Sequence, residues 1–189
     1  MKRILCLALL AAICCALPLA FCGVAACAET VPAASTDYKN DPIYLFAKQF
    51  VEACPTRSGE IAEKAAADWL KTRFDELLPE TSPSAIDRVS GYDRAVFNLS
   101  CKLDNPNTDR QIIIGAHYDA VSGSNGVGDN AFGVAALYTL LKTFATGSRS
   151  VPYDLVFVAF GGEETGLVGS YGYVNAMSEA DKQRTALMI

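Results

Sequence analysis

The 189-residue chain contains a single histidine, His117, two positions before an aspartate in Gly115-Ala116-His117-Tyr118-Asp119. Chemistry that needs two imidazoles therefore cannot be completed within these residues. Taken alone, a His-x-Asp pair at the end of a strand fits a hydrogen-bonded structural histidine. It gains chemical meaning because a metal-bound imidazole usually passes its second N–H to a carboxylate, and Asp119 is placed to take it. A second polar cluster, Gly161-Gly162-Glu163-Glu164-Thr165-Gly166-Leu167, sets two adjacent carboxylates between glycines. On an open loop they would be two solvated charges. Turned into one cleft they repel each other, and a divalent cation relieves the repulsion while leaving one as ligand and the other as base. Asp129 stands before a helical stretch, where aspartate is a routine cap, so capping and metal binding compete for its oxygens. Together His117, Asp129 and the glutamate pair make an N/O donor set suited to zinc, with manganese or cobalt as alternatives.

The elements that must deliver these side chains are legible in the surrounding pattern. Gln111-Ile112-Ile113-Ile114-Gly115 and Leu155 to Phe160 (LVFVAF) are short continuous apolar runs, as expected of strands buried on both faces of a parallel or mixed sheet. Between them, residues 130–145 place Val134, Leu137, Tyr138 and Leu141 on one helical face, with Asp129 or Asn130 as N-cap. Strand, helix, strand implies a crossover unit and an α/β fold. In open α/β sheets ligand sites lie beyond the carboxyl ends of strands, and both polar clusters fall there. Upstream, the run after Gly59 places Ile61, Ala65, Trp69, Leu70, Phe74, Leu77 and Leu78 at helical spacing up to Pro79. Residues 95–103 alternate as a strand and lead into the turn-prone Asp104-Asn105-Pro106-Asn107. Ser178-Glu179-Ala180-Asp181 resembles a helix start, and no internal repeat is present.

Other chemistries fit less well. Gly123-Ser124-Asn125-Gly126-Val127-Gly128 lacks a following Gly-Lys-Ser/Thr, and Ala131 breaks the G-x-G-x-x-G pattern begun at Gly126, so a phosphate cradle is excluded. Gly169-Ser170-Tyr171-Gly172 is not a nucleophile elbow.

The N-terminus differs in character. Lys2 and Arg3 precede 25 uncharged residues, 4–28, rich in Leu, Ala and Cys, the pattern of an export signal with Ala26-Cys27-Ala28 at its cleavage site. Val24-Ala25-Ala26-Cys27 also resembles a bacterial lipobox that would lipidate Cys27. The stretch is in addition long enough to span a bilayer uncleaved. Residues 1–28 are thus expected to be a signal peptide or lipoprotein signal, and 29–41 a polar linker. Location is then periplasmic or extracellular, with a membrane reached only through lipid at Cys27 or an uncleaved leader. Removing the leader takes away two bases and no acids, leaving 14 Lys and Arg against 21 Asp and Glu, a net charge of −7. Such a surface excludes nucleic acid as a natural partner. Five of the seven cysteines fall in the leader, leaving Cys54 and Cys101 as either one disulfide or two buried thiols.

GAHYDAV, GDNAFGVAALY and VAFGGEETGLVGSYGYV, in this order and spacing, resemble the M28 family of zinc aminopeptidases, and CPTRSGEIAEKAAADWL resembles the helix preceding their catalytic sheet. The resemblance implies a three-layer α/β sandwich, its mixed central β-sheet flanked by helices as in the zinc-peptidase/phosphorylase folds. It also implies two zinc ions sharing a water and peptide substrates cleaved at the N-terminus. By the family pattern His117 would ligate one zinc, Glu164 the other, Asp129 would bridge them, Asp119 would steady His117, and Glu163 would be the general base. It further implies a cis Asp129–Asn130 bond. Phe132 departs from the small residue many relatives carry. The family's later Asp and His ligands have no counterpart here. Residues 42–189 are therefore expected to be a partial peptidase domain, incomplete at the C-terminus, with weak metal binding and little activity as these 189 residues alone. The alternatives are a non-catalytic peptidase-like binding domain and a glutaminyl cyclase, which resembles this fold with a single zinc. Oligomeric state is not readable.

Overall fold

The computed structural model describes residues 37–189. The leader and lipid-anchor expectations, Cys27 included, lie outside the described residues. After a 3-10 turn at Tyr38–Asn40, helix α1 (Pro42–Ala53) begins at Asp41, whose Oδ1 accepts from the N–H groups of Ile43 and Tyr44 while Pro42 takes the first helical position. Helix α2 (Glu60–Asp75) follows. Strands β1 (Ala85–Arg88), β2 (Phe97–Leu103) and β3 (Gln111–His117) precede helix α3 (Phe132–Ala145), and β4 (Asp154–Phe160) precedes α4 (Val168–Ala176), α5 (Glu179–Arg184) and β5 (Thr185–Met188).

The five strands form one mixed sheet in the order β1-β2-β4-β3-β5. β2 runs antiparallel to β1 and β4, while β3 lies parallel to both β4 and β5. The crossover from β3 through α3 to β4 returns to an adjacent parallel strand, as strand-helix-strand spacing requires. Register pairs His117 with Phe160, so the polar segments after β3 and β4 leave the sheet side by side.

All seven residues of β4 are buried, and they alternate between two cores. Leu155, Phe157 and Ala159 join α1, α2 and α3 residues such as Phe46, Phe50, Leu70, Phe74, Leu137 and Leu141 on one face. Val156, Val158 and Phe160 meet Ile113 on the other, with Tyr173 of α4 and Met177 packed against them. Helices thus cover both faces of a mixed open sheet, the layered α/β arrangement expected. A strand buried on both sides has no polar face to show, which explains its unbroken apolar run.

Two differences from the pattern-based expectation stand out, and one open alternative is resolved. The buried side of α2 carries Glu63, Ala66, Ala67, Leu70 and Phe74, while Ile61 is 89% exposed. Helix α4 and strand β1 have no clear periodic signal, since β1 is mostly exposed and α4 (VGSYGYVNA) contains two glycines, whereas α1, absent from the expectation, does place Ile43, Phe46, Ala47 and Phe50 at helical spacing. Cys54 and Cys101 are separate buried thiols rather than a disulfide. Among the described residues no helix is long and apolar enough to cross a membrane.

Candidate metal centre

Both strand ends converge on His117. Its imidazole is held at the last residue of β3, where the Tyr118 N–H donates to Phe160 O at 2.9 Å and fixes the exit of one strand to the end of the next. Nε2 lies 3.0 Å from Asp129 Oδ1 and 3.9 Å from Glu163 Oε2. His117, Asp129 and Glu164 each present one ligand-type atom, and these atoms all lie within 4.8 Å of one another. One imidazole nitrogen and two carboxylate oxygens within that span fit a divalent transition metal by donor chemistry.

Asp129 reaches this position because it does not cap α3. It sits in a short π-type turn, Val127–Ala131, its peptide bond to Asn130 is cis, and Asn130 Oδ1 instead accepts from the Gly133 N–H at 3.0 Å. Capping and ligation, which compete for one aspartate, are divided here between two neighbouring residues. The Asp129 carboxylate is left 79% exposed, with His117 as its hydrogen-bond partner. Phe132, the first residue of α3, remains on the surface beside it.

The glutamates are set by the turn that follows β4. Gly162 takes φ 63°, a left-handed conformation open to glycine, and the chain reverses so that Leu167 N–H donates to Glu163 O and Val168 N–H to Gly162 O. Asp119, 1% exposed, accepts the Glu163 N–H on Oδ1 at 3.0 Å and the Glu164 N–H on Oδ2 at 3.1 Å. Its distance to His117 Nδ1 is 3.5 Å, and among the described residues no group is in good hydrogen-bond geometry with that buried nitrogen. Asp119 is therefore hydrogen-bonded to the glutamate turn and also lies within ion-pair distance of the imidazole. Burial disfavours the imidazolium form of His117, yet Asp119, Glu163 and Asp129 together outweigh it and raise the His117 pKa above its ordinary value.

Several residues that position the site carried no motif signal. Asn98 on β2 donates from Nδ2 to Gly169 O and accepts the Gly161 N–H, tying the start of α4 to the end of β4. Arg57, 1% exposed in the turn between α1 and α2, donates to main-chain carbonyls of the loops that carry His117 and Asp129. The only hint in the sequence is its place within the CPTRSGE segment, since a buried arginine looks like any other charged residue until the fold is known.

Peptidase family M28 matches residues 98–189. An aminopeptidase of Bacillus subtilis, YwaD, is 38% identical over 76 residues, 39% of this chain and 16% of its own length. The chain thus spans about a sixth of that relative. Among solved structures, the LapA aminopeptidase of Legionella pneumophila superposes with a TM-score of 0.60 at 21% identity, covering 71% of this chain and 38% of that one. A glutaminyl cyclase of Porphyromonas gingivalis shares the fold at a TM-score of 0.52 and 17% identity, covering 64% and 44%. The segment that matches peptidase family M28, residues 98–189, contains His117, Asp119, Asp129, Glu163 and Glu164, and through it the chain is similar to that family.

Proposed function

We propose that this chain carries the metal-binding and base-bearing part of an exported zinc aminopeptidase that hydrolyses the first peptide bond of peptide substrates. The observation behind it is the gathering of His117, Asp129 and Glu164 within 4.8 Å, with Glu163 Oε2 3.9 Å from the same imidazole. His117 and Glu164 would hold one zinc each and Asp129 would join the pair. Bound zinc supplies Lewis acidity toward the peptide carbonyl and a lowered pKa for attacking water. Glu163 accepts a proton from that water as its oxygen bonds to the carbonyl carbon. It then returns the proton to the nitrogen as the C–N bond breaks, releasing the N-terminal amino acid and a shortened peptide. Asp119 keeps the Glu163 main chain fixed during both transfers. The apolar leader pattern of residues 4–28 supports export, with Cys27 as the alternative lipid attachment point.

The test is Glu163→Gln in the full gene product. Zinc content should be retained while hydrolysis of aminoacyl p-nitroanilides falls about 10²–10⁴-fold, the usual worth of a general base. Unchanged turnover in that variant, or a wild-type protein that takes up no zinc, would overturn the proposal. Because the sheet is shared with a glutaminyl cyclase, a parallel assay on peptides with N-terminal glutamine separates hydrolysis from cyclisation.

A further inference from the structure

Arg57 is buried without an ion-pair partner among the described residues. Burying a guanidinium costs several kcal/mol unless its N–H groups are satisfied, and an apolar residue would be the cheaper choice for stability alone. Here main-chain carbonyls satisfy it. Nε donates to Tyr118 O at 2.7 Å, Nη1 to Cys54 O at 3.0 Å and Asn125 O at 2.9 Å, and Nη2 to Gly126 O at 3.0 Å. The plane also lies over the Phe50 ring, with Cζ 4.8 Å from its centroid.

The origin of these carbonyls carries the inference. Tyr118 stands between His117 and Asp119, and Asn125 and Gly126 lead into the Val127–Ala131 turn that holds Asp129. Gly126 O also accepts the Ala131 N–H at 3.0 Å, so the carbonyl gripped by Arg57 closes the turn around Asp129. Among the described residues, the exposed Asp129 side chain has His117 as its one hydrogen-bond partner. Its position is therefore set by the main chain beneath it.

We infer that Arg57 is a positioning residue for the metal centre: its planar fork joins the end of β3 to the Asp129 turn and so sets the distance between His117 and Asp129. This rests on His117, Asp129 and Glu164 being metal ligands, as proposed above. Lysine cannot replace it, because one ammonium lacks the rigid spread of donors that reaches carbonyls on both segments. Gly126 provides a second handle on the same contact. With φ 55°, it sits where an added Cβ would collide with Arg57 Nη2 and lie 2.6 Å from Ala120 Cβ and 2.7 Å from Asp129 O.

Zinc affinity by calorimetry and the visible absorption of the cobalt-loaded protein test this on the wild type, Arg57→Lys, Gly126→Ala and a control, Phe74→Leu, which loosens the core under α2. Arg57→Lys and Gly126→Ala should each weaken zinc binding by about 10–100-fold, the effect usual for residues that orient ligands, and change the cobalt spectrum. Phe74→Leu should lower the melting temperature while leaving affinity and spectrum as in the wild type. If Arg57→Lys does not fold, Gly126→Ala carries the test. Wild-type affinity and spectrum in the folded Arg57 and Gly126 variants, or losses that Phe74→Leu reproduces at equal stability, would overturn the positioning role. A wild type that binds neither ion would instead remove the metal centre itself, and the proposal with it.

Discussion

Asp119 holds the main chain of Glu163, its Oδ1 accepting the Glu163 N–H at 3.0 Å while its other oxygen takes the N–H of Glu164 at 3.1 Å. One buried carboxylate at the exit of β3 thus fixes the turn after β4. The two polar segments become a single unit, and the glutamate side chains are left free for chemistry.

Replacing Asp119 by asparagine exchanges one acceptor for an amide that must face an N–H. Asp119→Asn should lower zinc affinity by about 10–100-fold, as loss of an outer hydrogen-bond partner commonly does. Asp119→Ala should in addition destabilise the fold by about 1–3 kcal/mol by leaving two N–H groups without acceptors. Chelator competition and thermal melts measure the two effects separately.

Asp154, at the start of β4, joins Lys102 and Arg184 at 2.9 and 3.1 Å and accepts the Asn105 N–H at 2.8 Å. Burial pushes its pKa up, but the Asn105 N–H, Lys102 and Arg184 outweigh it and hold the carboxyl below its ordinary 3.8. A pKa lower in the folded state gives stability that is present above that ordinary value and lost as pH falls through the folded one. Asp154→Asn should therefore cost about 1–3 kcal/mol at neutral pH and flatten the acid limb of the stability curve below about pH 4. Urea titrations across pH provide the check, and an unchanged acid limb would contradict it.

Gly169 brings α4 against the end of β4. An added Cβ there would collide with Gly161 O and lie 2.5 Å from Asn98 Oδ1. Gly169→Ala should destabilise by about 1–3 kcal/mol through overpacking. It should also disturb the turn bearing Glu163 and Glu164, seen as weaker zinc binding in the folded variant.

Cys101 is buried and its thiol is pushed up to about 12 by desolvation, while burial likewise raises Cys54 against the opposing influence of Arg57. The thiolate is the reactive form, so both should resist Ellman's reagent in the native protein and react on unfolding. Reductant should leave the melting temperature unchanged. A non-reducing peptide map linking Cys54 to Cys101 would contradict the separate thiols.

Sequence patterns alone determined the strand-helix-strand unit around the site. β4 is buried on both faces, β3 is buried or half-buried along its length, and α3 presents Val134, Leu137 and Leu141 inward, so hydrophobic patterning reports them directly. The carboxylates and the histidine were equally legible as a group, because each follows a strand or opens a helix at one rim of the sheet. Exposed β1 and glycine-bearing α4 were not legible, since neither pattern repeats with a period that burial imposes. Tertiary structure alone decided which neighbour does what. Asn130 takes the hydrogen bond of the helix start and releases Asp129 to His117, and Asp119 spends its oxygens on the Glu163 and Glu164 amides. It also decided that Arg57 lies buried against main-chain carbonyls more than sixty residues away from it in sequence. These outcomes depend on distances between loops that meet only when the sheet has formed, and residue types along one chain do not encode such distances locally.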